Sequence, residues 1–348
     1  MHVLFAWRRP SPPIFIGGAE VSQRLLAEAL VQEGYRVTYI GGYEHSRTGR
    51  SERRQLLDRL AQFGIKPRNE PDCLRYAWRG VACLALPQCG IATALNDVIA
   101  NDPPDLVISS QEGSGDLLRL VPEHVTTVGW LHSITDVGLD ALRASPRFAL
   151  ATSRFVASRC RAPAGTRVVT FYPPFAPPTE PVNEPDVTRR TILMVNPVPE
   201  KGSDVVHQLA AAMPDRPFTL VEGWRPPDRI ADLSNITHLP PQLSMDRLYR
   251  GARLLLVPSL VEEAFGRVVI EAGLHAVPAI TSNLGGLPEA VAAGGMTLDP
   301  RDVDAWRTAI RDLDNAPAYT RYSDAARRNA ETHLRRRFVD DVTVLGIR

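Results

Sequence analysis

The chain has no long apolar run, no paired cysteines and no surplus of charge, and each absence removes a class of function. No stretch approaches the uninterrupted apolar length that crosses a bilayer. MHVLFAW at the N-terminus runs straight into a strand-like pattern and lacks the charged, apolar and small-residue order of a secretory leader, so a cytoplasmic protein is expected. The four cysteines, at 73, 83, 89 and 160, include no C-x-x-C pair and have no histidine tract beside them. Zinc and dithiol chemistry are disfavoured, and free buried thiols in a reducing compartment are expected. Basic and acidic side chains number 40 and 39, so the molecule as a whole is no nucleic-acid polycation. Repeats and low-complexity tracts are missing. So is the G-x-G-x-x-G of a dinucleotide oxidoreductase: after the first strand comes an eleven-residue loop with three prolines, Arg8–Gly18.

What is present is an alternation of apolar runs and amphipathic helical patterns, the order of parallel α/β units, and 348 residues suit two domains. His2–Trp7 reads as a strand and Ala19–Glu33 as a helix with Val21, Leu25, Leu26, Ala29 and Leu30 on one face. Strands follow at Arg36–Gly41, Leu106–Ser109, Thr126–Leu131 and Phe148–Ala151. Phe171–Pro185 holds six prolines and little apolar periodicity, which marks a linker. A second α/β pattern then begins: strands at Thr191–Val195, Phe218–Glu222, Leu254–Pro258 and Pro278–Thr281, with helices at Ser203–Met213 and Gly266–Leu274. The tail from Tyr322 is helical and rich in arginine. The expected domains are 1–172, a linker at 173–186, and 187–329.

The chemistry concentrates in Glu263-Ala-Phe-Gly-Arg-Val-Val-Ile-Glu271, which follows a buried strand and a Pro-Ser turn. Gly266 would open a helix carrying Glu271, and Glu263 would lie in the loop at the strand's carboxyl end, where open α/β sheets bind ligands. Free N–H groups at the helix start suit a phosphate. An ionised carboxylate accepts strong hydrogen bonds from sugar hydroxyls. Two carboxylates beside one such helix start fit a nucleotide-sugar, one for the ribose and one for the donor sugar. Taken alone, two glutamates at this spacing are equally an amphipathic helix with solvated acids.

They do not stand alone. Val257-Pro-Ser-Leu-Val-Glu-Glu-Ala-Phe-Gly-Arg-Val-Val-Ile-Glu-Ala-Gly, followed by Val277-Pro-Ala-Ile-Thr-Ser-Asn-Leu-Gly-Gly-Leu-Pro-Glu-Ala-Val, closely resembles the retaining glycosyltransferases of the GT-B fold, GT4 type. The resemblance implies two Rossmann-like domains facing a central cleft, with a C-terminal helix at about 330–348 crossing back to the first domain. It implies that Glu263 contacts the donor sugar with the backbone of Phe265 and Gly266 nearby, and that Glu271 binds the ribose. Ile14-Phe-Ile-Gly-Gly-Ala-Glu20 resembles the family's first glycine-rich loop, which assigns Gly17 and Gly18 to the donor diphosphate and Glu20 to the acceptor side. Asn196-Pro-Val-Pro-Glu-Lys-Gly202 places Lys201 at the diphosphate lysine, but Asn196 stands where the family has arginine; Arg267 is the candidate substitute. His132, in Gly129-Trp-Leu-His-Ser133, matches the histidine that faces the donor sugar, although a single histidine after a strand is more often structural. Ser153 and Arg154 resemble the next loop, on the acceptor side.

The implied reaction is front-face transfer of a sugar, with retention, from a nucleoside-diphosphate sugar (UDP favoured) to a hydroxyl-bearing acceptor. Positioning and electrostatic stabilisation of the departing diphosphate would carry catalysis. No metal or other cofactor is expected. Asp302-Val-Asp304 and Asp312-Leu-Asp314 match a metal-binding Asp-x-Asp, but both fall in a charged helical stretch that solvated helix faces explain better. The alternatives are a GT-B nucleotide-sugar epimerase and a degenerate nucleotide-sugar-binding protein, the latter favoured only by Asn196. The basic segment His45–Arg68, with Leu56, Leu57, Leu60 and Phe63 interleaved, leaves three readings open: contact with anionic lipid, a cover for the acceptor site, and, most commonly for such patterns, a solvated helix.

Overall fold

The computed structural model describes residues 1–14, 17–44, 52–180, 189–223, 225–229, 232–242 and 244–334. Parts of the expected linker, residues 45–51 and the chain from 335, where the crossing helix is expected, lie outside the described residues. Two compact units form, Met1–Pro174 and Phe175–Arg336.

The first unit is built on a nine-stranded sheet: β1 (His2–Pro10), β2 (Arg36–Gly42), β3 (Arg68–Glu70), β4 (Cys73–Trp78), β5 (Val81–Leu86), β6 (Leu106–Ser110), β7 (Thr126–Leu131), β8 (Phe148–Ala151) and β9 (Arg167–Thr170), in the order β3-β4-β5-β2-β1-β6-β7-β8-β9. Val3, Leu4, Phe5, Ala6 and Trp7 are fully buried, as a parallel strand covered on both faces requires. β1 pairs parallel with both β2 and β6. Three of these strands, β3 to β5, were not among the expected ones. They are the antiparallel margin of the sheet, and β4 shows the period of two that such a margin allows: Leu74, Tyr76 and Trp78 are buried while Arg75 and Ala77 are exposed.

The helices of this unit are α1 (Gly18–Gln32), α2 (Arg53–Gln62), α3 (Ile91–Asn101), α4 (Ser114–Arg119), α5 (Asp136–Leu139) and α6 (Arg154–Arg159). The buried face of α1 is rotated from the expected one. It presents Glu20, Ser22, Gln23 and Glu28 inward with Leu26, Ala27 and Leu30, while Val21, Leu25 and Ala29 are only half-buried. Polar partners explain the rotation: Gln23 donates to Ser110 Oγ at 2.5 Å, and Trp78 Nε1 donates to Glu28 at 2.7 Å. In α2, Leu56 and Leu60 are fully buried, so the apolar side of this basic helix faces the core. Phe63 just beyond it is exposed but packs edge-on against Trp78.

The second unit has a six-stranded, all-parallel sheet: β10 (Thr191–Val195), β11 (Phe218–Val221), β12 (Ile236–Leu239), β13 (Ala252–Val257), β14 (Ala279–Ser282) and β15 (Gly295–Leu298), ordered β12-β11-β10-β13-β14-β15. Its helices are α7 (Ser203–Ala212), α8 (Asp246–Gly251), α9 (Arg267–Leu274), α10 (Leu287–Val291), α11 (Val303–Asp312) and α12 (Ala316–Leu334). α9 lies so close to α12 that a Cβ on Gly273 would stand 2.8 Å from the Ala326 carbonyl oxygen, which only glycine avoids. No described helix is long and apolar enough to cross a membrane. Cys73 and Cys83 are buried as expected, and burial raises both thiol pKa values; Cys89 is exposed and Cys160 half-buried, because each sits at the sheet margin or a helix end rather than in the core.

Candidate active site

Chain order reverses at β10 in the second unit. The chain leaves β10 towards β11 on one side and leaves β13 towards β14 on the other, so the loops after β10 and β13 stand side by side at the carboxyl edge, the place where open α/β sheets bind ligands. Lys201 stands in the first loop and Glu263 in the second. Lys201 Nζ donates to Glu263 Oε1 at 2.6 Å, and Ser259 Oγ donates to the same oxygen at 2.5 Å. Residues distant in sequence are thus brought together by the order of the strands.

Close backbone contacts hold this pair. Gly202 has φ +83°, and a Cβ there would lie 2.0 Å from the Pro258 carbonyl oxygen, so glycine is required twice over. Leu260 N donates to Glu200 O at 3.0 Å and ties the loops a second time. Beneath Glu263 runs the Gly285-Gly286 pair. Glu263 bridges to Gly285 as in a parallel strand, and Gly286 N donates to Glu263 O at 2.7 Å. Gly285 has φ +64°, and a Cβ on it would meet Glu263 O at 2.3 Å. In this structure the glycine pair supports the loop that carries Glu263.

Both helices that rise from these loops begin without a side-chain cap: α7 from Gly202 and α9 from Gly266, each left-handed. Uncapped helix starts beside a lysine favour an anion. Glu271 lies on α9. Tyr249 donates to its Oε2 at 3.0 Å and Arg267 Nη2 to its Oε1 at 3.1 Å. Arg267 also lies over the Phe175 ring, 4.5 Å from its centroid, so its guanidinium serves Glu271 and this stack. The Phe265 side chain is buried and faces Phe175 and His333, which leaves its backbone as the part turned to the loop's function.

Asn196 adopts φ +63° at the end of β10, a conformation asparagine tolerates better than most residues. Its Oδ1 is buried with no hydrogen-bond partner among the described residues, and its side chain packs against Gly223, where a Cβ would fall 2.7 Å away. A cation not singled out from sequence stands close by. Arg225, in the loop after β11, donates to Glu200 at 2.8 Å, next to Lys201, and also pairs with Asp228. Only the pairing of β10 with β11 brings it there, so its position in the chain carries no signal. Of the Asp-x-Asp residues, Asp302 caps α11 through Ala305 N and Asp314 pairs with Arg216. Among the described residues no group of three or more His, Cys, Asp or Glu side chains could hold a metal ion.

The first unit has its own reversal at β1, between β2 and β6. Arg9 at the end of β1 donates to Glu20 at 2.9 Å and to Glu112 at 3.1 Å. Glu20 is 4% exposed, so this carboxylate is engaged inside the unit instead of lying open on an acceptor surface. Burial works to lower the Arg9 pKa, and the two carboxylates outweigh it and raise the value. Gly17 precedes α1 in extended backbone that any residue adopts; its reason for being glycine is the Glu20 carboxylate, 3.0 Å from where a Cβ would stand. Gly18 begins the helix. His132 follows β7 with its ring 4.6 Å from that of Trp130. Ser153 caps α6 by accepting from Val156 N at 3.0 Å, which makes it a structural cap, and Arg154 next to it is exposed.

Comparison with known proteins matches this geometry. Residues 189–315 fit the family model described as Glycosyl transferases group 1. D-inositol 3-phosphate glycosyltransferase of Streptomyces avermitilis is 29% identical over 233 residues, 65% of this chain and 48% of that relative; the Rhodococcus opacus enzyme of the same name is 39% identical over 108 residues, 28% of this chain and 24% of its own length. The chain thus spans about half the length, or less, of these curated relatives. Among solved structures, sucrose-phosphate synthase from Thermosynechococcus elongatus superposes with a TM-score of 0.72 at 19% identity, covering 96% of this chain and 94% of the other. Anabaena HepE in complex with UDP and glucose does so at 0.70 and 15% identity, covering 99% and 98%. At such identities these likenesses establish the GT-B fold, and within it residues 189–315 are similar to the group 1 glycosyltransferases.

Proposed function

We propose that the protein transfers a sugar from a nucleoside-diphosphate sugar to a hydroxyl-bearing acceptor, with retention of anomeric configuration and by front-face attack. The observation that carries this is the Lys201–Glu263 pair at the reversal of the second sheet, between two uncapped helix starts. A diphosphate arriving there shares the Lys201 ammonium and the helix N–H groups. Charge that develops on the leaving oxygen then meets donors already in place. Glu263, fixed by Ser259 and by the glycine pair beneath it, presents its second oxygen to the sugar hydroxyls. Glu271 takes the ribose. The departing phosphate oxygen accepts the acceptor's proton. The reading requires no metal, since Lys201 and the helix starts supply the positive potential.

UDP is the favoured carrier, supported by the HepE complexes with UDP-glucose and UDP. A cytoplasmic location goes with this reading. Any contact with a membrane surface through 45–68 would rest on charge, because Leu56 and Leu60 are spent on the core. The test is release of UDP from UDP-sugars with and without a panel of acceptors. D-inositol 3-phosphate stands first in that panel, because the relatives are named for it. Acceptor-dependent release with an axial product bond read by NMR is expected from an α-linked donor. Turnover of donor to an epimer without acceptor would replace this reading by an epimerase. Tight UDP binding with no turnover would replace it by a sugar-nucleotide-binding protein.

A further inference from the structure

Glu271 does not reach its position unaided. Its two oxygens are tethered separately, Oε2 by the Tyr249 hydroxyl and Oε1 by Arg267. A carboxylate has about four acceptor sites, so two remain, and the two tethers decide which way these point. The arginine tether comes from the same helix, one turn earlier. The tyrosine tether comes from α8, on the far side of β13 in sequence, and is far more constrained. The Tyr249 side chain is 2% exposed. Its ring stacks on His275 with centroids 5.7 Å apart and planes 28° from parallel, and His275 Nε2 is hydrogen-bonded to Asp246 at 3.1 Å. Asp246 in turn accepts from the Thr179 hydroxyl at 2.6 Å. The phenol is therefore the end of a braced series, from Thr179 through Asp246 and His275, whose one outlet towards the site is Glu271.

We propose that Tyr249 is a positioning residue for the donor's ribose, acting through Glu271. The inference rests on the assignment of Glu271 to the ribose. The Tyr249 hydroxyl holds the carboxylate plane so that its remaining lone pairs meet the two adjacent ribose hydroxyls together. Burial first, and the neighbouring Glu271 charge second, raise the phenol pKa well above its ordinary value, so the hydroxyl remains a donor throughout the working pH range. Ribose is present alike in ground and transition states, so loss of this positioning affects donor binding and leaves the chemical step alone.

The test uses Tyr249→Phe, which removes a single oxygen, with calorimetric titration of UDP and of 2′,3′-dideoxy-UDP, and donor kinetics beside it. Tyr249→Phe is expected to weaken UDP about tenfold, the worth of one hydrogen bond to a charged group, and to raise donor KM by a similar factor with kcat unchanged. Dideoxy-UDP, which has no hydroxyls for Glu271 to read, is expected to bind parent and variant equally. A tenfold loss for both nucleotides, or for neither, overturns the proposal. Glu271→Gln runs in parallel: if it too weakens both nucleotides equally, the ribose assignment itself falls and the proposal with it, a result distinct from failure at Tyr249 alone. Should Tyr249→Phe not fold, Thr179→Val removes the hydroxyl that braces Asp246 at the far end of the series; a loss confined to UDP is expected, and an equal loss for both nucleotides, or for neither, overturns the proposal.

Discussion

Each unit has one reversal of strand order, and at each the chain sets a basic residue among carboxylates, yet the two sites are built for opposite ends. In the first unit Arg9 is enclosed by Glu20 and Glu112, and Glu20 is all but removed from solvent. In the second, Lys201 and Glu263 are a single pair, with side chains 25% and 17% exposed, standing between helix starts that no side chain caps. The charges of the first are closed on one another, whereas the pair in the second stays partly exposed. The same topology therefore yields a clamp of mutually paired side chains in one unit, and in the other a single ion pair flanked by helix starts that carry no side-chain cap.

Four experiments can break or sharpen this contrast. Arg9→Met should act on folding. It strands Glu20 without its partner, and leaving one buried charge unpaired costs about 3–5 kcal/mol. Urea unfolding measures it, and a variant as stable as the parent would show that the clamp is no clamp. Lys201→Ala should do the reverse, leaving the unfolding midpoint nearly unchanged while turnover falls by two to three orders of magnitude, the usual worth of about 2.7–4 kcal/mol for a donor aimed at developing charge. Near-normal turnover would remove Lys201 from the mechanism.

The third experiment divides the second site itself. Glu271→Gln should weaken UDP about ten- to a hundredfold, since a hydrogen bond to a charged group is worth about 1.5–3 kcal/mol. Glu263→Gln should leave UDP affinity nearly intact and lower kcat, because its sugar contact strengthens in the transition state. The opposite pattern in calorimetry and kinetics would exchange the two roles.

The smallest effect concerns pH. Burial lowers the pKa of His2 in the first unit and of His207 and His275 in the second. A histidine whose folded pKa lies below its unfolded value takes up its proton first in the unfolded chain. Its stability contribution is complete above about 6.5 and is lost as pH falls towards the folded value. Asp246 extends the trend: burial acts to raise its pKa, but hydrogen bonds from Thr179 and His275 bring it below the ordinary value, so its contribution is lost at still lower pH. Denaturant midpoints should decline gently from pH 7.5 to 5.5, and His275→Gln should flatten part of that slope. A midpoint that rises on acidification would reverse the sign.

Much of this architecture can be read from the chain because its central strands are buried on both faces. Val3–Trp7, Thr191–Val195 and Leu254–Val257 stand out as apolar runs for that reason. The same rule hides the margin. β4 is exposed at alternate positions, where Arg75 and Ala77 interrupt the run, so the alternation is easily passed over. The inward face of α1 escapes periodicity because periodicity weighs apolar side chains, whereas Gln23 and Glu28 turn inward to meet Ser110 and Trp78. At the site, Lys201, Glu263 and Glu271 lie in motifs whose spacing is local. Tyr249 and Arg225 reach the same place across neighbouring strands, and no spacing along the chain announces them.

The contact of Gly202 with Pro258 and of Gly285 with Glu263 has a consequence for variation. Main chain meets main chain at both points, with no side chain between. The separation of the ammonium and the carboxylate is accordingly governed by atomic radii of the backbone and is insensitive to which side chains surround it. Leu260 and Val261, exposed on the rim of the same loop, can drift or be randomised without detuning the pair they flank. A library confined to Leu260 and Val261 would vary the rim while the Lys201–Glu263 pair stays in place, whereas a single inserted residue anywhere from 258 to 263 would dismantle it.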